Sequence, residues 1–362
     1  MKALDVSRLR MRRSGLTDRR FETVVDVVRH HGAMQAQEHE LAKWSIAQRT
    51  RALVDADVDE AIAAGAILRT HVLRPTWHFV AAGDARWLLA LTGPRVRQTT
   101  AARFRELGLD GRTLARSETA AAAALADGNQ LTRNELGDAL DAAGIDRSGQ
   151  RFPHILMHLE IEAVVCSGAR RGRNHTYALF DDRVPPARAR DRDEAIAELT
   201  RRYLAGHGPA SVQDLRWWSS LKGADVRKGL DLLGDAVVDE AIDGVRLWSL
   251  ADERDRPRRT STPHLLHVYD ELVVGYTLSR FFGDPRRTAE VAAWRDRSVP
   301  GNVLLVDGRV AGRWRRTIDG NGVRLQVWTH DDLGLVERDA LRRAAARLGR
   351  FLGRPWTLET AS

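Results

Sequence analysis

A pattern of packed helices followed by β-favouring residues occurs three times along this chain, and that recurrence limits its architecture more than any other feature. In the first copy Val24, Val25, Val27 and Val28 lie along one side of a helix from Phe21 to His31, which Asp18 or Thr17 would cap and Gly32 stops. Met34-Gln35-Ala36-Gln37 leads into a second helix through Leu41, Trp44 and Ile46, and a short helix follows from Val58 to Ala66. Ile67 to Val80 then reads as extended chain broken by Pro75. In the second copy Thr132 and Glu135 have the spacing of a capping box, Gly144 ends the helix, and Arg151 to Glu162 forms the next one. Val164-Val165-Cys166 and His175 to Phe180 follow as strands. In the third, Ser211 caps a helix carrying Leu215, Trp217 and Trp218, and Val226 to Leu233 forms another. Two strands then join across Asp243-Gly244, a two-residue hairpin turn.

Helix, turn, helix, strands is the order of a winged helix-turn-helix. An α+β chain with three tandem winged helix-turn-helix units is the simplest account. The units are placed at 1–105, 106–185 and 190–255. Asp181 to Asp193, with Pro185-Pro186, and Asp252 to Pro263 read as linkers. The remainder, 260–362, differs: Asn302–Val306, Arg309–Trp314 and Arg324–Thr329 read as strands joined by Asp307-Gly308 and by Asp319-Gly320-Asn321-Gly322. An amphipathic helix ending near Leu352 closes this small β-rich domain.

Charge bears on what such units bind. Of 362 residues, 57 are Lys or Arg against 49 Asp or Glu, a net charge of +8, and the only lysines are Lys2, Lys43, Lys222 and Lys228. Arginine forks suit phosphate, although a GC-rich genome, which encodes Arg and Ala freely, would leave the same trace. The lone Cys166 excludes a disulfide framework and multi-cysteine metal sites. No apolar run is long enough to span a bilayer and the N-terminus lacks a signal h-region, so a cytoplasmic protein without membrane contact is expected.

The charge clusters on the candidate wings. Arg170, Arg171 and Arg173 share the second hairpin tip with Gly168 and Gly172, where they suit phosphate or minor-groove contact, and Arg151 lies on the helix ahead of them. Lys222, Arg227 and Lys228 hold the equivalent place in the third unit. Lys43, on the second helix, can also point at phosphate. Trp217-Trp218 reads as core rather than a stacking platform. His154 and His158, at i and i+4, lack a third ligand and read as a structural pair. Phosphate-loop, nucleophile-elbow and dinucleotide motifs are absent.

Met34-Gln35-Ala36-Gln37 resembles the Gln–apolar–Gln motif of the AlkZ-like DNA glycosylases. Leu73-Arg74-Pro75-Thr76-Trp77-His78-Phe79-Val80 is similar to that family's Arg-x-Thr-x-His strand, and Gly208-Pro209-Ala210 with Asp214 and Trp217-Trp218 to its Gly-Pro-Ala stretch. Tyr269-Asp270-Glu271, Gly275-Tyr276, Leu304 to Val310 and Trp314-Arg315-Arg316 match C-terminal landmarks, so the resemblance covers nearly the whole chain. It implies three winged units followed by a C-terminal β-barrel-like domain, and excision of N7-alkylated purines, both bulky monoadducts and interstrand crosslinks, from double-stranded DNA. Gln35 and Gln37 carry over as the catalytic pair, with His78 and Trp77 as site-lining residues. No cofactor or metal is implied, and tandem units in one chain point to a monomer. Relatives act in self-resistance to alkylating antibiotics.

Glutamines suit that chemistry. Their amides are not bases, but they hold a water through donor and acceptor together. An N7-alkylguanine is already cationic and leaves without a general acid. Residues two apart on extended chain project to one side, so Gln35 and Gln37 are expected to converge. Two alternatives stand beside this: a non-enzymatic winged-helix DNA-binding protein or regulator, which leaves the glutamines without a role, and a drug-sequestering resistance protein.

Overall fold

The computed structural model describes residues 1–252, 256–296 and 301–361. Part of the linker expected at Asp252–Pro263, residues 253–255, lies outside these. After a leading helix, α1 (Ala3–Arg13), the first repeat runs α2 (Val24–His31), β1 (Met34–Gln35), α3 (His39–Gln48), α4 (Asp55–Ala63), β2 (Ile67–His71) and β3 (Trp77–Ala81). A long helix, α5 (Ala82–Glu106), carries the chain to the second repeat: α6 (Gly111–Leu125), β4 (Leu131–Thr132), α7 (Arg133–Ala142), α8 (Arg151–Ile161), β5 (Val165–Ser167) and β6 (Thr176–Leu179). In both, the first strand pairs with the third, giving the sheet orders β1-β3-β2 and β4-β6-β5. The short α9 (Phe180–Arg183) precedes the third repeat, α10 (Arg192–His207), α11 (Val212–Ser219), α12 (Gly223–Leu233), β7 (Val237–Ile242) and β8 (Val245–Leu250). Here a single bridge between Ala210 and Trp248 stands in place of the first strand.

Local chemistry explains these boundaries. Thr132 with Glu135 and Ser211 with Asp214 form reciprocal capping boxes, as their spacing predicts. The cap of α2 is Thr23 paired with Asp26, rather than Asp18 or Thr17, because Thr23 is the extended residue directly before the helix. Asp243 and Gly244 both take positive φ (46° and 76°), as do Asp307 and Gly308 (49° and 82°), the backbone that a two-residue hairpin needs.

The C-terminal region adds β9 (His264–Leu266), α13 (Glu271–Val274), α14 (Arg287–Arg295), β10 (Asn302–Val306), β11 (Arg309–Asp319), β12 (Gly322–Thr329), α15 (Leu335–Phe351) and β13 (Trp356–Ala361). Its five strands are ordered β13-β12-β11-β10-β9, so the sheet is open and no barrel closes among the described residues. The last strand runs parallel to β12, which α15 makes possible as the crossover between them.

Three apolar clusters decide how these parts meet. Leu88 and Leu89 of α5, Ile196, Leu199 and Tyr203 of α10, and Trp218 of α11 share one core with Leu68 and Val80, so the third repeat packs on the first. Trp44 and Ala47 of α3 enter the core between the C-terminal sheet and α15. The second repeat keeps its own core, around Leu136, Leu140, Ile155 and Leu159. It docks through β2, where Arg69 N donates to Ser167 Oγ at 2.8 Å and His71 N to Glu160 Oε2 at 2.9 Å. No described helix is long and apolar enough to cross a membrane.

This packing buries imidazoles. Burial holds His78 and His264 down at about 3 and His267 at about 4, against an ordinary value of 6.5. Each is neutral in the folded chain and gains a proton only on unfolding in the window from pH 6.5 down to those values. Stability is therefore full above pH 6.5 and is lost as pH falls through the window, by up to about 1.4 kcal/mol per pH unit per histidine. A urea midpoint clearly lower at about pH 5 than at about pH 7.5 is expected, and an unchanged midpoint would contradict it.

Candidate active site

Gln35 ends the two-residue strand β1 and lies opposite His78 of β3 in antiparallel register. Ala36 N still donates to Trp77 O at 2.7 Å, after which the chain bends at Gln37 and Glu38 into α3. That bend decides where the two glutamines go. Gln35, 7% exposed, lines a cavity of about 820 Å³ together with Arg74, Arg216, Trp217, Tyr269 and Trp294. Gln37 is exposed and lines a different hollow, of about 1240 Å³, with Glu38, Arg173, His175 and Arg316. The extended-chain rule that would bring both to one side stops applying where β1 stops.

Gln35 is held at two points, its main chain and its side-chain oxygen. Its main-chain N donates to Glu271 Oε1 at 2.7 Å, and Arg74 Nη2 donates to its side-chain Oε1 at 3.0 Å. Because the guanidinium only donates, it selects the amide orientation with oxygen towards Arg74. The amide nitrogen has no hydrogen-bond partner among the described residues, and the residue lines the cavity. Burial draws the Arg74 guanidinium down, opposed by the charge of Glu271, and an arginine keeps its proton throughout.

Glu271 is the hub of this arrangement. Its Oε2 accepts from His207 Nε2 at 3.0 Å and from Trp218 Nε1 at 2.9 Å, so the two oxygens take three donors from the first and third repeats. Burial alone would raise its carboxyl. The His207 contact and the Gln35 N–H outweigh that and hold it below the usual carboxylate range. Its neighbour Asp270, equally buried, accepts both terminal nitrogens of Arg49, at 2.9 and 2.8 Å, and the Ser45 hydroxyl at 2.5 Å. Against the cost of burial, Arg49 first and then Ser45 bring Asp270 to about 2.

His78 is fully buried. Its Nδ1 lies 2.9 Å from Thr76 O, and its Nε2 has no protein partner. Burial first and the Arg74 charge second keep it neutral. Trp77, the next residue of β3, points to the opposite face. Its Nε1 donates to Glu160 Oε1 at 3.3 Å and its ring packs on His71, so it serves the contact between the first two repeats. Of the tryptophan pair, Trp218 is fully buried, but Trp217 is 41% exposed and its ring lines the Gln35 cavity, against the expectation that both are core. Neighbouring helical residues sit about 100° apart, so two adjacent tryptophans rarely share a face.

Several cations singled out in the sequence have intramolecular partners. The Lys43 ammonium is fully buried among Asp55 at 2.8 Å, Asp59 at 3.0 Å and Glu40 at 3.2 Å. Arg170 joins the same carboxylates, at 3.0 Å from Glu40 and 3.4 Å from Asp59. Arg151 donates to Asp146 O at 2.8 Å and to Leu107 O, bracing α8. Lys228 pairs with Asp193 at 2.7 Å. Arg171, half exposed, reaches Glu135 at 2.6 Å, while Arg173, Lys222 and Arg227 are exposed. His154 and His158 contact Gln150 O and Glu118, both at 2.7 Å. Arg74, Glu271, Tyr269 and Trp294 received no role from sequence reasoning, although all but Trp294 lie inside the motifs it noted.

Removing one partner of a buried ion pair strands the other. Asp270→Asn, which leaves Arg49 uncompensated, is expected to cost about 3–5 kcal/mol in urea unfolding. A loss below about 1 kcal/mol would show that the pair is not desolvated as described.

The sequence profile of the AlkZ-like DNA glycosylases matches residues 28–351. A protein of Streptomyces sahachiroi described as an interstrand DNA cross-link repair glycosylase is 26% identical over 361 residues, 95% of either chain. Among solved structures, the Streptomyces sahachiroi DNA glycosylase AlkZ is similar over all of both chains, with a TM-score of 0.81 at 25% identity. Over nearly its whole length, then, and with Gln35 lining a cavity between repeats, the chain belongs to the AlkZ-like DNA glycosylase family.

Proposed function

We propose that this protein hydrolyses the N-glycosidic bond of N7-alkylated purines in duplex DNA, bulky monoadducts and interstrand crosslinks included, in repair or in self-resistance to alkylating natural products. In this reading the three repeats are winged helix-turn-helix units that grip the DNA backbone. Arg171, Arg173, Lys222 and Arg227 remain exposed for phosphate, and one chain supplies enough contacts to act as a monomer. The observation that carries the proposal is the Gln35 amide, its oxygen fixed by Arg74 and its main chain by Glu271, on a residue that lines a cavity with Trp217, Tyr269 and Trp294.

The cavity lining bears on substrate. It contains no carboxylate and no imidazole among the described residues, so it offers no ready acid for a neutral base to leave on. An N7-alkylpurine needs none, because its positive charge already weakens the glycosidic bond. What the enzyme supplies is a water held by the Gln35 amide and fixed dipoles around a sugar that becomes oxocarbenium-like. The anionic Glu271 behind Gln35 favours that developing positive charge. Gln37 acts from the neighbouring hollow on the same duplex. A protein that only binds DNA has no use for an amide buttressed in this way.

Gln35→Ala is expected to slow single-turnover excision of N7-methylguanine by about 10² to 10³-fold with duplex affinity nearly unchanged, since the held water matters in the transition state. Gln37→Ala is expected to slow it as well. Arg74→Met frees the amide to turn over and is expected to cost about 10²-fold in the same assay. Wild-type excision by the folded double glutamine variant would defeat the proposal.

Cleavage stops at the abasic site in this reading. A lyase commonly uses an amine that is free to form a Schiff base. Lys43 is the lysine nearest Gln35 in sequence, and despite desolvation its contacts with Asp55, Asp59 and Glu40 raise its pKa and hold the ammonium. Borohydride is expected to trap no protein–DNA adduct, and strand breaks are expected only after alkali or heat. A trapped adduct would count directly against this.

A further inference from the structure

A second cavity, of about 460 Å³, shares no lining residue with that of Gln35. It lies between α15, the side of α3 that carries Trp44 and Gln48, and the strand residues His264 and Leu265. Four arginines line it, Arg19, Arg343, Arg347 and Arg350, and no carboxylate does among the described residues. Arg343 has Asp339 as a partner on its own helix. Arg19, Arg347 and Arg350 form no ion pair among the described residues.

The cluster is partly fixed in place. Arg347 Nη2 donates to Ala47 O at 2.6 Å and Thr50 O at 2.7 Å, the carbonyls at the end of α3, while its other nitrogens have no acceptor among the described residues. Burial and then the charges of Arg19 and Arg350 pull Arg347 down to about 9, and burial with Arg350 lowers Arg19. A guanidinium does not relieve such crowding by losing its proton. An anion relieves it. His264 lines the same cavity, is nearly fully buried, and its Nε2 has no partner. A neutral imidazole N–H there can donate to an anion's oxygen, and Ser261 and Thr262 add hydroxyls at the rim.

We propose that this pocket, framed by Arg19, Arg347, Arg350 and His264, is a phosphate-binding site separate from the base-excision cavity. Guanidinium forks match the spacing of phosphate oxygens and bind them bidentately, which a carboxylate-free pocket with several forks favours over chloride. The phosphate belongs either to a strand of bound DNA or to a free phosphorylated small molecule, and the two sources give different signatures.

The test uses the full chain and the variants Arg350→Gln and Arg19→Gln. Inorganic phosphate and pyrophosphate are titrated at constant ionic strength while thermal unfolding is followed. Wild type is expected to gain several degrees and each variant to lose most of that gain. In phosphate-free buffer the variants are expected to melt at or above wild type, since a repulsion has been removed, and this also shows that they fold. Binding of an undamaged duplex across a salt series then assigns the source. A slope of log K against log salt reduced by about 1 per variant places the phosphate in DNA. An unchanged slope, with the inorganic phosphate response present in wild type alone, assigns the pocket to a free ligand. If neither the phosphate response nor the salt slope distinguishes the variants from wild type, the pocket is only solvated surface and the proposal falls. None of these readouts measures excision, so they stand or fall independently of the glycosylase reading.

Discussion

Two adjacent carboxylates, Asp270 and Glu271, hold together parts of the chain that are far apart in sequence. Each is almost completely removed from water, a cost that is offset only when its oxygens are fully occupied by donors. Asp270 meets that condition with Arg49 and Ser45 of α3 and its border, and so fixes the first repeat to the C-terminal region. Glu271 meets it with Gln35, His207 and Trp218, and so fixes the first repeat to the third. A hydrophobic contact would tolerate sliding. A buried carboxylate with three directed donors does not, and Gln35 is one of those donors. The position of the proposed catalytic amide is therefore set by the same bonds that set the domain arrangement.

What the sequence showed and what it hid divide along the range of the interactions. The capping box at Thr132, the cap at Ser211 and the turns at Asp243-Gly244 and Asp307-Gly308 are decided within four residues, and all are legible without a structure. The long helix α5 received no sequence reading, and Pro94 lies inside it without ending it. The parallel strand β13 depends on a crossover by α15 and has no local signature of its partner. At the site, Gln35 was legible as part of a motif. Glu271 lies in another such motif, but its bond to Gln35, 236 positions away, was not legible, since nothing local to either residue reports it. The convergence of Gln35 and Gln37 failed for a local reason, the end of β1 between them.

Charge misled in an instructive way. Lys43 and Arg170 look like phosphate ligands when read as isolated cations near a helix and on a wing. In the fold they face one acidic group, Glu40, Asp55 and Asp59, and cement the β5–β6 hairpin of the second repeat to the first. A sequence shows where cations cluster but not which anions from another element come to meet them. The converse holds for Arg19, Arg347 and Arg350. They are spread over more than 300 positions and form no visible motif, yet they meet in one carboxylate-free pocket.

The electrostatics around Gln35 suit a reaction that needs no proton donor. Glu271 is held ionised by its donors, Arg74 keeps its charge, and burial keeps His78 neutral. None of the three changes state near neutral pH, so none is poised as an acid or base. A site built for a neutral leaving base would carry at least one group tuned to that range. This one instead fixes an uncharged amide between a permanent cation and a permanent anion. That arrangement orients a dipole and costs no reorganisation as charge shifts to the sugar, which is the help that departure of an already cationic base requires.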